Sequence, residues 1–282
     1  MTTRERFRRR SRSRRQKQRR AIFLVPNLIT TAALMLGFWS ITEAIQGRWD
    51  RAAWGIILAG VADALDGRVA RVTRSTSKFG VEYDSLSDVV SFGLAPALLV
   101  YNWALQPLGR RGWVIAALFA VCAALRLARF NVQKHQEESV HFQGIATTVA
   151  GGSVAVMVWF VGWLGLQPPF AAPIGSAITA AFTMLALLMV SSVPYPSWRS
   201  LPVSGRAAFP TLVGLVLGIV LLILYNEPAF FAIVCIYLVS GPILWLILLR
   251  RRRAERMARP VAGAAERAGA AEGAGEPGDH GG

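Results

Sequence analysis

The chain has 282 residues, of which 54% are hydrophobic, and a formal net charge of +15 at pH 7. Such an apolar chain is not typical of a soluble globular domain, and its mean hydropathy of +0.42 indicates a membrane protein. The net charge alone would suit nucleic-acid binding, but the basic residues gather at the two ends, beside apolar segments. We therefore expect an all-α integral membrane protein with no nucleic-acid partner.

The two ends of the chain are basic. Residues 1–20 contain eleven Arg or Lys and one Glu, and a second basic cluster occupies 250–259. Such blocks are usually disordered, and beside apolar segments they indicate the cytoplasmic side and contacts with anionic lipid headgroups. We expect a disordered basic arm (1–20), a membrane domain (21–250) and a disordered cytoplasmic tail rich in Ala and Gly (251–282).

Between the ends, apolar runs of about 20 residues predict helices that cross a bilayer. We place eight spans at 21–45, 52–71, 85–107, 112–132, 145–166, 169–192, 207–226 and 228–249. An even number puts both termini on one side, and the basic ends make that side cytoplasmic. We expect the protein in a bacterial cytoplasmic (inner) membrane.

Four aspartates lie at the ends of apolar segments: Asp63, Asp66, Asp84 and Asp88. The first two are spaced i, i+3 and the last two i, i+4, so each pair shares one helix face. A charge near the middle of a membrane helix costs about 2.5–3.5 kcal/mol, so four carboxylates need a compensating cation. An all-oxygen site suits Mg²⁺ or Mn²⁺.

Acidic residues within a membrane also occur in cation-coupled transporters, which are the alternative class. A transporter spreads its charges over several helices or repeats. Here five of the ten acidic residues between 21 and 249 lie within 63–88. This clustering favours an enzyme with a metal centre.

The spacing of eight residues in this stretch resembles the signature of the CDP-alcohol phosphatidyltransferases. The matching positions are Asp63, Asp66, Gly67, Ala70, Arg71, Gly80, Asp84 and Asp88. Members of that family move a phosphatidyl group from a CDP-linked lipid to an alcohol and release CMP. The resemblance implies a six-helix core, extended here by two spans, and a homodimer. Gly151, Gly152 and Ser153 would allow close packing either between two copies or within one chain.

The resemblance also implies roles for the signature residues. Divalent cations, Mg²⁺ or Mn²⁺ and two per site, would bind Asp63, Asp66, Asp84 and Asp88. Asp88 would serve as the general base, and the sequence does not separate this role from that of a metal ligand. The residues expected to contact the CDP-lipid are Asn27, Gly67, Ala70, Arg71 and Gly80.

The acceptor alcohol is indicated by two further segments. Residues 79–97 and 124–131 resemble the phosphatidylserine synthases, a branch of the family, which implies serine as acceptor and CDP-diacylglycerol as donor. Serine carries a carboxylate, so we expect a clamp formed by Arg126 and Arg129, with Asn131 close by. The alternatives are that both arginines anchor a helix end or bind the phosphate of the lipid, and that the acceptor is another polar alcohol such as glycerol phosphate or an inositol phosphate.

Overall fold

The computed structural model describes residues 26–73, 77–134, 144–195, 227–247 and 249–250. This part of the chain is helical, which confirms the predicted class. Its seven helices are α1 (Pro26–Ile45), α2 (Trp49–Thr73), α3 (Lys78–Leu108), α4 (Arg110–Lys134), α5 (Thr147–Trp163), α6 (Ala172–Val190) and α7 (Glu227–Ile247). The predicted arm, the predicted span 207–226 and the predicted tail lie outside the described residues.

Five of these helices are long and apolar enough to cross a membrane, namely α1, α3, α4, α6 and α7. The other two differ for separate reasons. Helix α2 has 25 residues but carries the first two motif aspartates and further charges, whereas α5 is apolar but has only 17 residues. The findings support an integral membrane protein with several spans. The total of eight spans stays a prediction.

Helix α3 begins earlier than the predicted span at 85–107. It starts at Lys78 because Ser77 caps it, with the Ser77 Oγ accepting a hydrogen bond of 2.9 Å from the Gly80 N–H. Asp84 and Asp88 therefore lie inside a helix, where a rigid backbone fixes their spacing.

Helix α3 is not a regular α-helix throughout. It widens into π-helical turns at Val89–Leu94 and Tyr101–Leu105. Pro96 has no N–H to donate to the Phe92 carbonyl, so the regular hydrogen-bond ladder is interrupted between the two turns. Such π turns are rare and frequently lie at functional sites. The first π turn starts directly after Asp88, so it determines the direction of the part of α3 that follows this residue.

The helices pack closely around α3. A Cβ on Gly151 would lie 3.2 Å from the Phe92 Cα, so the glycine lets α5 approach α3. Gly151 therefore serves packing within the chain, whereas Gly152 faces open space. Elsewhere in the bundle, Phe119 of α4 stacks on Phe182 of α6 with ring centroids 4.5 Å apart.

The last turn of α1, just before the chain turns into α2, holds a buried carboxylate. Glu43 accepts a hydrogen bond of 3.1 Å from Trp39 Nε1 and forms a salt bridge with Arg48, whose Nη2 lies 2.8 Å from Oε1. From this turn α2 runs for about 20 Å, at 1.5 Å per residue, before it reaches Asp63. The Glu43 turn and the motif aspartates thus lie towards opposite ends of α2.

Candidate active site

Three of the four motif aspartates converge. Asp63 and Asp66 lie one turn apart on α2, and Asp84 faces them from α3. One carboxylate oxygen of each lies within 4.8 Å of the others. Asp66 is buried, and the other two are half-buried. The i, i+3 spacing in the sequence thus brings two carboxylates to one helix face, and the packing of α2 and α3 adds the third.

Hydroxyl groups support two of these carboxylates. Thr30 of α1 donates a hydrogen bond of 2.6 Å to Asp66 Oδ2, and Thr148 of α5 donates one of 3.5 Å to Asp63 Oδ2. A hydroxyl orients a carboxylate but leaves its negative charge in place. Neither threonine was expected at the site from the sequence. Thr30 carries a weak signal, since it lies i, i+3 from Asn27 on α1, but Thr148 carries none.

The donor set of this cluster fits the predicted metal. All three of its potential ligands are carboxylates. Hard divalent cations such as Mg²⁺ and Mn²⁺ prefer oxygen ligands of this kind, whereas zinc favours nitrogen and sulfur ligands. Three negative groups whose oxygens lie within 4.8 Å of one another repel, so a cation stabilises the arrangement. The cluster is therefore a candidate site for a divalent metal.

Asp88 stands slightly apart from these three oxygens. It lies one turn after Asp84, at the end of the α-helical part of α3. Its carboxylate interacts electrostatically with Asp63, Asp66 and Asp84, and also with the Arg126 guanidinium. Asp88 thus interacts both with the carboxylate cluster and with a cation on α4.

The residues predicted to contact the CDP-lipid lie on three helices around the cluster. Asn27 of α1 and Gly80 of α3 are neighbours, because a Cβ on Gly80 would lie 3.1 Å from Asn27 Oδ1. Gly67 directly follows Asp66 on α2 and has open space where a Cβ would be. Ala70 is half-buried on α2, and Arg71 belongs to the same helix. The structure therefore leaves open surface beside the carboxylates, at Gly67.

The residues predicted to bind the acceptor lie on α4 and have different surroundings. Arg126 donates a hydrogen bond of 2.8 Å to Thr147 Oγ1, and its Nε is buried without a hydrogen-bond partner among the described residues. Arg129 is half-buried, one turn further on. Asn131 donates a hydrogen bond of 2.9 Å to Ser85 Oγ, which ties it to α3 beside Asp84. Of the three residues, Arg126 is the one with a buried donor still to satisfy.

A bundle of apolar helices that holds a carboxylate cluster defines a polytopic membrane protein with a candidate divalent-metal centre. The family is equally clear. Residues 23–193 match the family model described as CDP-alcohol phosphatidyltransferase, and the chain belongs to that family. The predicted resemblance is confirmed, and membership of a transferase family of phospholipid biosynthesis favours the enzyme over the transporter.

Curated relatives agree with this assignment. The chain is similar to the CDP-diacylglycerol–serine O-phosphatidyltransferase of Helicobacter pylori, with 35% identity over 231 residues that cover 81% of this chain and 93% of the relative. The Mycobacterium tuberculosis protein of the same name is 32% identical over 193 residues, 66% of this chain and 65% of the relative. The archaetidylserine synthase of Methanothermobacter thermautotrophicus is 35% identical over 176 residues, 61% and 69% of the two chains.

Proposed function

We propose that the protein transfers the phosphatidyl group of CDP-diacylglycerol to the hydroxyl of L-serine, forming phosphatidylserine and releasing CMP. The observation that carries this proposal is the convergence of Asp63, Asp66 and Asp84 within the segment that matches the family model. The serine acceptor is supported by the relatives, whose names specify serine.

The cluster, together with Asp88, would hold the metal ions, Mg²⁺ or Mn²⁺ and two per site, so that the ligands would be Asp63, Asp66, Asp84 and Asp88. When bound, such ions neutralise the pyrophosphate and stabilise the departing CMP. Thr30 and Thr148 contribute by orienting two of the carboxylates before the substrate arrives. Partners of this kind usually affect metal affinity strongly.

The chemical step is a displacement at phosphorus. The serine hydroxyl oxygen forms a bond to the phosphorus of the phosphatidyl group, while the bond from that phosphorus to the CMP oxygen breaks and its electron pair leaves with CMP. Asp88 takes the proton from the hydroxyl as general base. Its place beside the cluster, and not among the three closest oxygens, supports this role.

The CDP-lipid would lie on the side of the cluster formed by α1, α2 and the start of α3. Gly67 allows the ligand to approach the α2 backbone, because no atom lies within 4 Å of the position a Cβ would take. Asn27 offers an amide beside Gly80, Ala70 keeps the helix surface low, and Arg71 would provide charge-assisted hydrogen bonds to the pyrophosphate.

The acceptor would lie on the α4 side. Arg126 is suited to the serine carboxylate because its Nε is a buried donor without a hydrogen-bond partner among the described residues, and because it interacts with Asp88. Two carbons separate the hydroxyl and the carboxylate of serine, so a serine bound by Arg126 brings its hydroxyl near Asp88. Arg129 and Asn131 would complete this side of the pocket.

The proposed setting is the bacterial cytoplasmic membrane, with the active site and both termini on the cytoplasmic side. The basic residues of 1–20 and 250–259 support this orientation and a contact with anionic lipids. We also propose a homodimer, as the family resemblance implies.

The test is a CMP-release assay on purified protein with CDP-diacylglycerol, Mg²⁺ or Mn²⁺, and one alcohol at a time. We expect CMP release that depends on L-serine, with phosphatidylserine as the lipid product. Release that depends instead on glycerol phosphate or an inositol phosphate would keep the chemistry and overturn the serine acceptor. No release with any alcohol would overturn the proposed function.

A further inference from the structure

Two neighbouring threonines at the start of α5 bond different parts of the candidate site. Thr147 Oγ1 accepts a hydrogen bond of 2.8 Å from Arg126 Nη1 of α4, and the Thr148 hydroxyl donates one of 3.5 Å to Asp63 Oδ2 of α2. Consecutive Cα atoms are only about 3.8 Å apart. The first turn of α5 therefore connects the arginine of the proposed acceptor side to the carboxylate cluster through hydrogen bonds on adjacent residues.

Helix α4 is also connected to the cluster at a second place. Asn131 Nδ2 donates a hydrogen bond of 2.9 Å to Ser85 Oγ, and Ser85 directly follows Asp84 on α3. The part of α4 that carries Arg126 is therefore held against both α3 and α5, beside residues of the cluster.

The backbone before α5 fixes the position of its first turn. The Gly144 N–H donates a hydrogen bond of 2.9 Å to the Val193 carbonyl. The Ile145 N–H donates one of 3.2 Å to the Leu188 carbonyl. Gly144 has a φ of +80°, which glycine adopts readily, and a Cβ there would lie 2.6 Å from a carbonyl oxygen of α6. The residues that lead into α5 are thus held against the end of α6, and both threonines follow within four residues.

The contacts of the Arg126 guanidinium do not use the edge formed by Nε and Nη2. Thr147 bonds Nη1, and the Phe130 ring centroid lies 5.9 Å from the guanidinium carbon. Nε is buried and has no hydrogen-bond partner among the described residues. A carboxylate binds a guanidinium through two parallel N–H donors, and Nε and Nη2 form such a pair. A carboxylate bound along this edge would satisfy the buried donor.

We propose that Thr147 is a positioning residue that, by holding Nη1, turns the Nε–Nη2 edge of Arg126 toward the carboxylate of the acceptor. The proposal rests on the serine-transfer function proposed above. A guanidinium is a planar fork, so it binds a carboxylate well only in a fixed orientation. Because Thr148 bonds Asp63, the same turn of α5 also fixes the distance between this edge and the cluster. Serine is short, so its carboxylate and its hydroxyl can be bound together only if this distance is fixed.

The test removes single hydroxyl groups from α5. Thr147→Val and Thr147→Ala both remove the group that accepts from Arg126, whereas Thr147→Ser keeps it. Ser153→Ala is the matched control, because Ser153 is another buried residue of α5 and its hydroxyl bonds the Val149 carbonyl of its own helix at 2.7 Å. The measurement is steady-state CMP release at saturating Mg²⁺, with serine and CDP-diacylglycerol varied in turn.

We expect Thr147→Val and Thr147→Ala to raise the serine KM about tenfold, the loss that one hydrogen bond to a charged group typically causes. The kcat and the CDP-diacylglycerol KM should stay within about twofold of wild type, because only acceptor binding is affected. Thr147→Ser and Ser153→Ala should keep a serine KM near that of wild type. An unchanged serine KM without the Thr147 hydroxyl would overturn the proposal. So would an equal loss in kcat and both KM values, since Thr147 would then be a packing residue only.

The neighbouring hydroxyl provides a second comparison, because it bonds a carboxylate and not the arginine. Thr148→Val should raise the Mg²⁺ concentration for half-maximal activity about tenfold and leave the serine KM at saturating Mg²⁺ unchanged. Thr147→Val should do the reverse. If both variants change both quantities alike, the two threonines act as one packing unit and the positioning role is wrong.

A double-mutant cycle tests whether Thr147 acts through Arg126. Arg126→Lys keeps the charge but has no planar edge to orient, so it should raise the serine KM by itself. In that background Thr147→Val should add less than about twofold to the serine KM. Additive effects would overturn the positioning role. A wild-type enzyme without serine-dependent CMP release would instead refute the proposed function, and this inference with it.

Discussion

Two buried carboxylates, one near each end of α2, have opposite kinds of partner. Near the start of α2, Glu43 in the last turn of α1 is 5% exposed and is paired with Arg48 and Trp39. Fourteen residues into α2 the cluster begins, where Asp66 is also 5% exposed but receives its 2.6 Å hydrogen bond from the neutral Thr30 hydroxyl. The charge of Glu43 is balanced by a cation of the protein itself, whereas the carboxylate cluster concentrates negative charge. Equal burial therefore does not mean equal function, and the type of partner separates a structural carboxylate from a metal-binding one.

Removal of divalent metal should have the largest effect, and it should affect the carboxylate cluster but not the region around Glu43. In EDTA we expect CMP release to be lost, because without divalent cations the charge of the pyrophosphate would not be neutralised. Activity should return with Mg²⁺ or Mn²⁺, while the helical content measured by circular dichroism stays constant, since the Glu43 turn needs no metal. Full turnover in chelator would refute the metal centre.

Within the cluster, Asp88 and Asp66 should behave differently. Asp88→Asn should lower kcat by about 10²–10⁴, the usual range for the loss of a general base, and leave CDP-diacylglycerol binding largely intact. Asp66→Ala removes a metal ligand and should weaken binding of the nucleotide-lipid as well. Turnover and lipid binding by both variants provide the comparison. Near-normal turnover in Asp88→Asn would show that the base lies elsewhere.

The hydroxyl support of the cluster should have an intermediate effect. Thr30→Val keeps the side-chain shape but removes the donor to Asp66, and we expect the Mg²⁺ concentration for half-maximal activity to rise about 10–100-fold. Ser91→Ala is the matched control, because it removes another buried hydroxyl that contacts α1, through the Ala33 carbonyl at 3.1 Å. Equal metal requirements in both variants would contradict the orienting role of Thr30.

The smallest effect should come from the structural end, and it should reverse the balance between stability and activity. Glu43→Gln loses the salt bridge to Arg48, so we expect the Tm to fall by about 2–4 °C while CMP release stays within about twofold of wild type. Asp66→Asn should abolish activity without lowering the Tm of the metal-free protein, because it relieves repulsion in the cluster. A Glu43→Gln protein that is as stable as wild type but inactive would contradict the structural role of Glu43.

The parts of the site that lie on a single helix could be predicted from the spacing of residues in the sequence. The i, i+3 spacing of Asp63 and Asp66 places them on one face of α2 in the structure, as expected. The approach of Asp84 was expected because four charges in a membrane need a shared cation, and also from the family resemblance, but its geometry depends on how α2 and α3 pack. Thr148 could not be predicted, because a hydroxyl on an apolar helix has many possible roles until its neighbours are known.

The limits of the fold prediction have similar physical causes. Hydropathy placed the third span at 85–107, but Ser77 caps α3 and starts it at Lys78, before the apolar residues begin. The π turns of α3 have no periodic signal in the sequence, and Pro96 between them is only a local hint. The contact of α7 with the bundle depends on Tyr195 and Gly241, which lie far apart in sequence.

The central claim is that Asp63, Asp66 and Asp84 together hold a divalent cation. The most direct test is Mn²⁺ binding to the purified protein, measured by electron paramagnetic resonance in wild type, Asp66→Asn, Asp84→Asn and Glu43→Gln. We predict that wild type and Glu43→Gln bind Mn²⁺ with equal affinity and that both aspartate variants lose this binding. Unchanged Mn²⁺ binding in Asp66→Asn and Asp84→Asn would contradict the claim.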